Sequence, residues 1–231
     1  MKEPSISIIL PVYRQADHIR SVVQVYVDAL GPIHATYEVL LVVNGPTDDG
    51  SLGVCRTVES EFESVRTITS EIPGWGRAVR VGIESSRGDL ICYTNSARTS
   101  AKDLTDVLKA AMGQRDAIVK ATRKIREGFV RRLGSLLYNL ECRALFDLPY
   151  WDINGTPKVF PRAFARLLAL TRDDDLIDLE FLVTCIEENH PVISVSTFSA
   201  IRHGGKSTTG VRAALRLYCG AITMWSQWRQ K

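Results

Sequence analysis

The chain has 231 residues, long enough for a full hydrophobic core and, on length alone, for one or two domains. Hydrophobic residues at 45% and charged residues at 24% are the proportions of an ordinary globular domain, which argues against a disordered chain and against a membrane barrel. The formal charge of +3 is too small to call for nucleic acid, although Arg and Lys crowd into 120–132, 202–216 and the last three residues.

The first expected strand, 5–10, is a β-rich run stopped by Pro11-Val12-Tyr13, and with no basic segment before it the run reads as a strand rather than a signal peptide. Ile19, Val22, Val23, Tyr26, Val27 and Leu30 then recur at helical spacing and predict a helix with Asp17 as its cap. A strand over 38–43 is apolar on both faces and is broken by Asn44-Gly45-Pro46. A helix over 51–62 and a strand over 65–69 follow. Gly74-Trp75-Gly76 marks a turn, 77–86 a helix, and Leu90 to Tyr93 a short buried strand that opens into the small polar residues 94–99.

Beyond a helix at 103–112, the spacing predicts a strand over 117–122 that runs into the basic loop 123–128. Leu133, Leu136, Leu137, Leu140 and Leu145 mark a long helix, and the turn at 152–157 leads into a strand ending at Phe160. Helices over 162–170 and 178–189, a strand over 192–198 and a C-terminal helix with Val211, Leu215, Tyr218, Ile222 and Trp225 on one face complete the chain. Alternation of strand and helix predicts an α/β layer with a mainly parallel sheet. The ligand crevice of such a sheet lies outside the carboxyl ends of its strands, here 11–15, 44–49 and 94–99. The expected division is a single Rossmann-like domain over 1–208 and an amphipathic helix over 209–231, packed on the domain or facing a membrane.

Cys55, Cys92, Cys142, Cys185 and Cys219 lie far apart without a Cys-x-x-Cys pair, and read as buried free thiols in a reducing compartment. No segment approaches the roughly 20 apolar residues of a spanning helix. The expected location is cytoplasmic, with attachment to the cytoplasmic membrane face as an option. His18, His34 and His190 have no acid or Cys at ligand spacing and read as surface or packing residues.

The order of motifs resembles a family 2 glycosyltransferase of the GT-A fold, in the dolichyl- or polyprenyl-phosphate mannosyltransferase branch, over about residues 5–209. The resemblance is carried by the strand-Pro-Val-Tyr opening, the strand ending at Asn44 with Asp49 beyond it, and Gly74-x-Gly-x-Ala78-x-x-x-Gly82. Gly88-Asp89, Arg123 ending a later strand, Arg131 with Ser135, Asp152-x-x-Gly-x-x-Lys158-x-Phe, and Arg202-x-x-Gly205-x-Ser207 add to it. It implies that Pro11, Tyr13, Gln15, Asn44, Asp49, Arg77, Asn95 and Arg98 bind a UDP- or GDP-linked sugar. It implies further that Arg123, Arg131, Ser135 and Arg202 bind the phosphate of a polyprenyl or dolichyl acceptor. Asn95, Arg123 and Arg202 are then the residues expected at the reaction, and Arg126 and Lys206 are further cations within reach.

The chain departs from the family at its acids. Gln15, Asn44 and Asn95 stand where the family has carboxylates, and Gly45 and Ala97 replace two more, so the Asp-x-Asp metal motif is lost. An amide keeps the shape and one acceptor oxygen but not the charge, and Mg²⁺ or Mn²⁺ needs anionic oxygen to be held well. The expectation is inverting sugar transfer with little or no metal dependence, arginines balancing the diphosphate. Asp178 and Glu180 fall where other members place a base; an acceptor phosphate is already ionised, which leaves these two free for structure. Read without the resemblance, Gly74-Trp75-Gly76 is a plain turn, Asp49 a turn residue, Arg131 and Arg132 solvated charges and His203 a loop residue. The alternative is an inactive relative that binds nucleotide or serves as a partner subunit. A nucleotidyltransferase would want a Gly-rich, Lys-bearing loop after the first strand, and an RNA-binding module exposed aromatics among its cations; neither is present in the sequence.

Overall fold

A computed structural model of the chain describes residues 5–46, 48–124, 129–198 and 211–230. In chain order the elements are β1 (Ser5–Val12), α1 (Ile19–Leu30), β2 (Thr36–Asn44), α2 (Ser51–Glu61), β3 (Val65–Ser70), α3 (Trp75–Ser85), β4 (Leu90–Tyr93) and α4 (Ala101–Gly113). They continue with β5 (Ile118–Arg123), α5 (Phe129–Phe146), β6 (Lys158–Pro161), α6 (Ala165–Leu168), α7 (Ile177–Glu187), β7 (Val192–Thr197) and α8 (Val211–Trp228).

The strands form one sheet in the order β3-β2-β1-β4-β6-β5-β7, parallel except for β6, which runs antiparallel to both β4 and β5. The central strands are apolar on both faces because helices cover both. Ile8, Leu10, Val39, Leu41 and Cys92 enter one core with α1, α2 and α4, while Ile9, Leu40, Val42, Ile91 and Tyr93 enter the other with α3, α5 and α7. From β1 the chain moves outward to β2 and β3 and then returns to β4 on the other side. The resulting switch point opens a crevice where Val12, Asn44 and Thr94 leave the sheet.

At the opposite end of β4, the Ser7 hydroxyl donates to Glu38 and accepts the backbone N–H groups of Arg87 and Gly88, so the Gly88-Asp89 motif is a structural clasp. Burial works against the Glu38 charge, but hydrogen bonds from Ser7, Arg87 and Arg66 outweigh it and hold the carboxyl below its usual range.

Three expectations are corrected. Asp17 does not cap α1: the cap position is His18, without a side-chain cap bond, and the Asp17 carboxylate lies 2.5 Å from His18 Nδ1. The helix expected over 162–170 shrinks to Ala165–Leu168, because Arg162 is drawn back to the start of β4 by bonds to Asp89 O, Gly88 O and Ser86 Oγ. Four of the five thiols are buried, but Cys219 is exposed on α8. One side of α8 packs on the domain, where Ala221 is buried, Tyr218 donates to Gly134 O at 2.6 Å and Trp228 Nε1 donates to Glu187, whereas Leu215 and Ile222 of the expected apolar face are 59 and 50% exposed. No described helix is long and apolar enough to cross a membrane.

Candidate active site

Three loops at the crevice are laced together by side chains. The Gln15 N–H donates to Ser51 Oγ, and Gln15 Oε1 accepts from Ser96 Oγ at 2.6 Å, which joins the loop after β1 to those after β2 and β4. Asp49 accepts from the N–H and the hydroxyl of Ser51 and from Ala16 N. Burial opposes its charge, and the Ser51 bonds prevail and keep the carboxyl below its usual range. Asp49 therefore organises the start of α2 as well as facing the crevice. Pro11 lies buried in β1, in register with Val42, and Tyr13 is 38% exposed beside Gly45.

Asn44 is 4% exposed, and both ends of its amide are engaged. Nδ2 donates to Val12 O at 3.1 Å and Oδ1 accepts from Gly74 N at 3.2 Å. A carboxylate could not make the first of these bonds, which gives the amide at this position a structural reason. Gly74 has φ of +146° and packs against the carbonyl of Asp173; a Cβ on Gly76 would lie within 2.5 Å of the Asp174 carbonyl oxygen. The Gly-x-Gly pair thus lets α3 start directly against the 172–174 loop, where Arg77 N donates to Asp173 O. The Arg77 side chain is half-buried, with its Nε unpartnered. Asn95 Oδ1 turns back to accept from Ala97 N at 3.0 Å, and Arg98, half-buried, follows in the same turn.

A divalent cation at this point would need the Asp-x-Asp oxygens. The donor set present is one neutral amide oxygen already accepting a hydrogen bond and a buried alanine with no side-chain oxygen, so these two positions do not fit Mg²⁺ or Mn²⁺.

A second site lies along the same edge of the sheet. Because β6 is antiparallel to both neighbours, β5 points the same way as β4, and Arg123 ends at the level of the crevice. A cavity of about 560 Å³ opens there, lined by Arg123, Lys124, Arg132, Ser135, Asn139 and Trp151 among others. Asp152, 4% exposed, receives Arg123 N and Nε at 2.8 Å and Nη2 at 2.7 Å. Burial disfavours the Arg123 charge, but Asp152 more than compensates and holds the guanidinium protonated. Asn139 donates to Ser135 Oγ at 3.3 Å and accepts from Ile153 N. Arg123 at the end of β5 and Ser135 in α5, twelve residues on, thus line one pocket. Lys124, Asn139, Trp151 and Asp152 were missed as site residues by sequence reasoning; Arg132 was weighed with Arg131 for phosphate, and Asp152 was visible only as part of a motif.

That motif is largely scaffold. Asp152 fixes Arg123, Gly155 lies against the carbonyl of Ala121, and Lys158 forms a buried ion pair with Asp178. Asp178 also accepts from Trp75 Nε1 at 3.1 Å and from the Tyr93 hydroxyl at 3.0 Å, so both oxygens carry donors. Glu180 accepts from Thr171 N, Thr171 Oγ1 and Arg172 N, tying down the loop that meets Gly76. Lys120 sits opposite Lys158 in register, fully buried, and donates to Ala121 O, Thr122 Oγ1 and Trp151 O. Burial, with Lys158 adding to it, brings the Lys120 amine down to about 7. The Arg131 side chain, Arg126, Arg202, His203 and Lys206 lie outside the described residues.

A seven-stranded, mainly parallel sheet flanked by helices, with a crevice at its switch point, is the architecture of the GT-A glycosyltransferases. The sequence matches glycosyl transferase family 2 over residues 7–167, and the chain belongs to that family. It is similar to undecaprenyl-phosphate 4-deoxy-4-formamido-L-arabinose transferase of Sodalis glossinidius (strain morsitans), at 22% identity over 141 residues, 60% of this chain and 43% of that protein. Glycosyltransferase AglE of Haloferax volcanii is 31% identical over 91 residues, 39% of this chain and 29% of that protein. The aligned part of the chain thus spans less than half the length of either relative. Among solved structures, glucosyl-3-phosphoglycerate synthase from Mycobacterium tuberculosis with Mn²⁺, uridine-diphosphate-glucose and phosphoglyceric acid superposes with a TM-score of 0.69 at 14% identity, covering 95% of this chain and 80% of that one. A second structure of that synthase gives 0.71, again at 14% identity, covering 96% and 80%; at such identity the likeness shows the fold alone.

Proposed function

We propose that the chain transfers a sugar from a UDP- or GDP-linked donor to a polyprenyl phosphate or another membrane-linked phosphate, by inverting displacement and with little or no metal dependence. The observation that carries this reading is the pairing of Arg123 and Ser135 in one basic cavity at the same sheet edge as the donor crevice. Phosphate suits that cavity: Asp152 preorients a guanidinium at its wall, and Ser135 lines the same cavity. The relatives whose names specify undecaprenyl-phosphate support the same acceptor class.

In the reaction, an acceptor phosphate oxygen attacks the anomeric carbon from the face opposite the leaving group. The new C–O bond forms as the bond to the donor's β-phosphate breaks, and a nucleoside diphosphate departs. The attacking oxygen is already ionised, so no base is needed, in keeping with the engagement of both Asp178 oxygens. Asp49, Tyr13 and the Asn44 loop hold the nucleoside side, Arg77 and Arg98 face the diphosphate, and Arg123, Arg131, Ser135 and Arg202 hold the acceptor. The test is turnover of UDP- and GDP-sugars with a polyprenyl phosphate in detergent, with and without excess chelator. Turnover that persists in chelator is expected. Activity that vanishes there and returns with Mn²⁺ overturns the metal-independent part.

One observation favours a second reading. Asn44 and Asn95 both close onto the chain's own backbone, as in a pocket that has kept its shape and lost its chemistry. Calorimetry with uridine and guanosine nucleotides, run beside the assay, separates the readings: binding without turnover selects an inactive relative that binds nucleotide, and no binding removes transfer and selects the partner subunit.

A further inference from the structure

Helix α5 presents an apolar face that the domain leaves uncovered. Leu133, Leu136, Leu137 and Leu140 follow one another at helical spacing and are 46, 46, 50 and 47% exposed, whereas Tyr138, Cys142 and Phe146 on the other side are buried. Trp151 is 46% exposed, with the Arg143 guanidinium 4.2 Å from its ring centre. We propose that this leucine face seats the chain on an anionic bilayer surface.

Three features select that occupant. The exposed residues of the stripe are leucines without a hydrogen-bonding group among them, which suits acyl chains better than the polar rim of a protein partner. The flank is cationic: between 123 and 132 the sequence has five Arg or Lys against the single acid Glu127, and Lys124 and Arg132 are exposed at the N-terminal end of the stripe. The stripe is also continuous with the cavity, since Leu133 and Leu136 line both. A phosphate between Arg123 and Ser135 would therefore enter from the side that meets the lipid. This last point rests on the proposed acceptor; the first two do not. The sequence suggested α8 as the membrane-facing helix; there Tyr218 and Ala221 are spent on the domain and, among the described residues of the expected face, only Leu215 and Ile222 are exposed, against the four leucines of α5 that adjoin the basic cavity.

The test uses the full chain and vesicles without prenyl phosphate, so its outcome is separate from that of the transfer assay. Flotation with vesicles of phosphatidylglycerol and phosphatidylcholine is expected to carry the protein, and pure phosphatidylcholine to carry at least about tenfold less. Leu137→Glu with Leu140→Glu, neither of which lines the cavity, is expected to lower flotation by about tenfold or more, with an unchanged circular dichroism spectrum and melting temperature. Bromine-labelled acyl chains should quench tryptophan fluorescence in the native chain, and Trp151→Phe should remove most of that quenching. Failure of the native chain to float overturns the proposal, as does flotation that the double variant leaves unchanged. A dimer seen by light scattering, lost in the double variant and with no vesicle binding, assigns the face to a second copy instead.

Discussion

Lys120 is held far from its ordinary chemistry, a buried amine facing carbonyl and hydroxyl oxygens with Lys158 beside it. Its proton affinity is depressed to about 7 in the folded protein, first by burial and then by Lys158, against about 10.4 in an unfolded chain. Between those values the unfolded state binds more protons, so stability rises with pH from about 7 to about 10. Urea denaturation across that range is expected to show the rise, and Lys120→Met to flatten it. Asp178 makes the opposite case, a buried carboxylate that neutralises a lysine. Asp178→Asn leaves Lys158 unpaired in the core and is expected to cost about 3–5 kcal/mol in the same assay, whereas Glu180→Gln should cost about 1 kcal/mol. Equal costs for the two would contradict the roles assigned to them. At the pocket, Asp152→Asn removes the anion that orients Arg123; it is expected to raise the acceptor KM at least about tenfold while leaving nucleotide affinity within about twofold by calorimetry.

Among the elements, α3 and its approach loop depend on close packing rather than on a capping side chain. Gly76→Ala would press a methyl group into the carbonyls of the 172–174 loop and is expected to destabilise the fold by about 1–3 kcal/mol, with weaker nucleotide binding as the loop moves from Arg77. Thermal melting and calorimetry measure the two effects. In α4, Ser100 Oγ accepts from Asp103 N at 3.0 Å, so Ser100→Ala should cost about 1 kcal/mol with no effect on ligand binding. The strands and long helices were legible from period alone, because each buries a face or stripe that repeats along it. α6 was not, since Arg162 is held by residues 86–89, a constraint from distant parts of the chain that no local pattern carries.

At the scale of the whole molecule, the order of strands places a switch-point crevice between β1 and β4 and a basic cavity beyond β6 at the same end of the strands. The antiparallel β6 makes this possible, because it lets β5 return pointing the same way as β4 with Arg123 at its upper end. A chelator titration of turnover reads this arrangement as a unit. Arginine compensation predicts less than about a twofold change in rate, since the leaving diphosphate meets side chains that are charged at all working pH values.

By itself the sequence determined the α/β class, the family and the loss of carboxylates at the three crevice loops, since these depend on residue type and on patterns along the chain. The tertiary structure alone decided that Asn44 is a cross-link, that Asp178 belongs to a buried lysine, and that Asp152 serves Arg123. It also decided how each amphipathic helix divides its apolar residues: α8 buries Ala221 and leaves Leu215 and Ile222 exposed, while α5 buries Tyr138, Cys142 and Phe146 and leaves four leucines exposed. A periodic stripe records that a helix has something to bury. Only the packing of the remaining elements determines whether the domain itself does the burying.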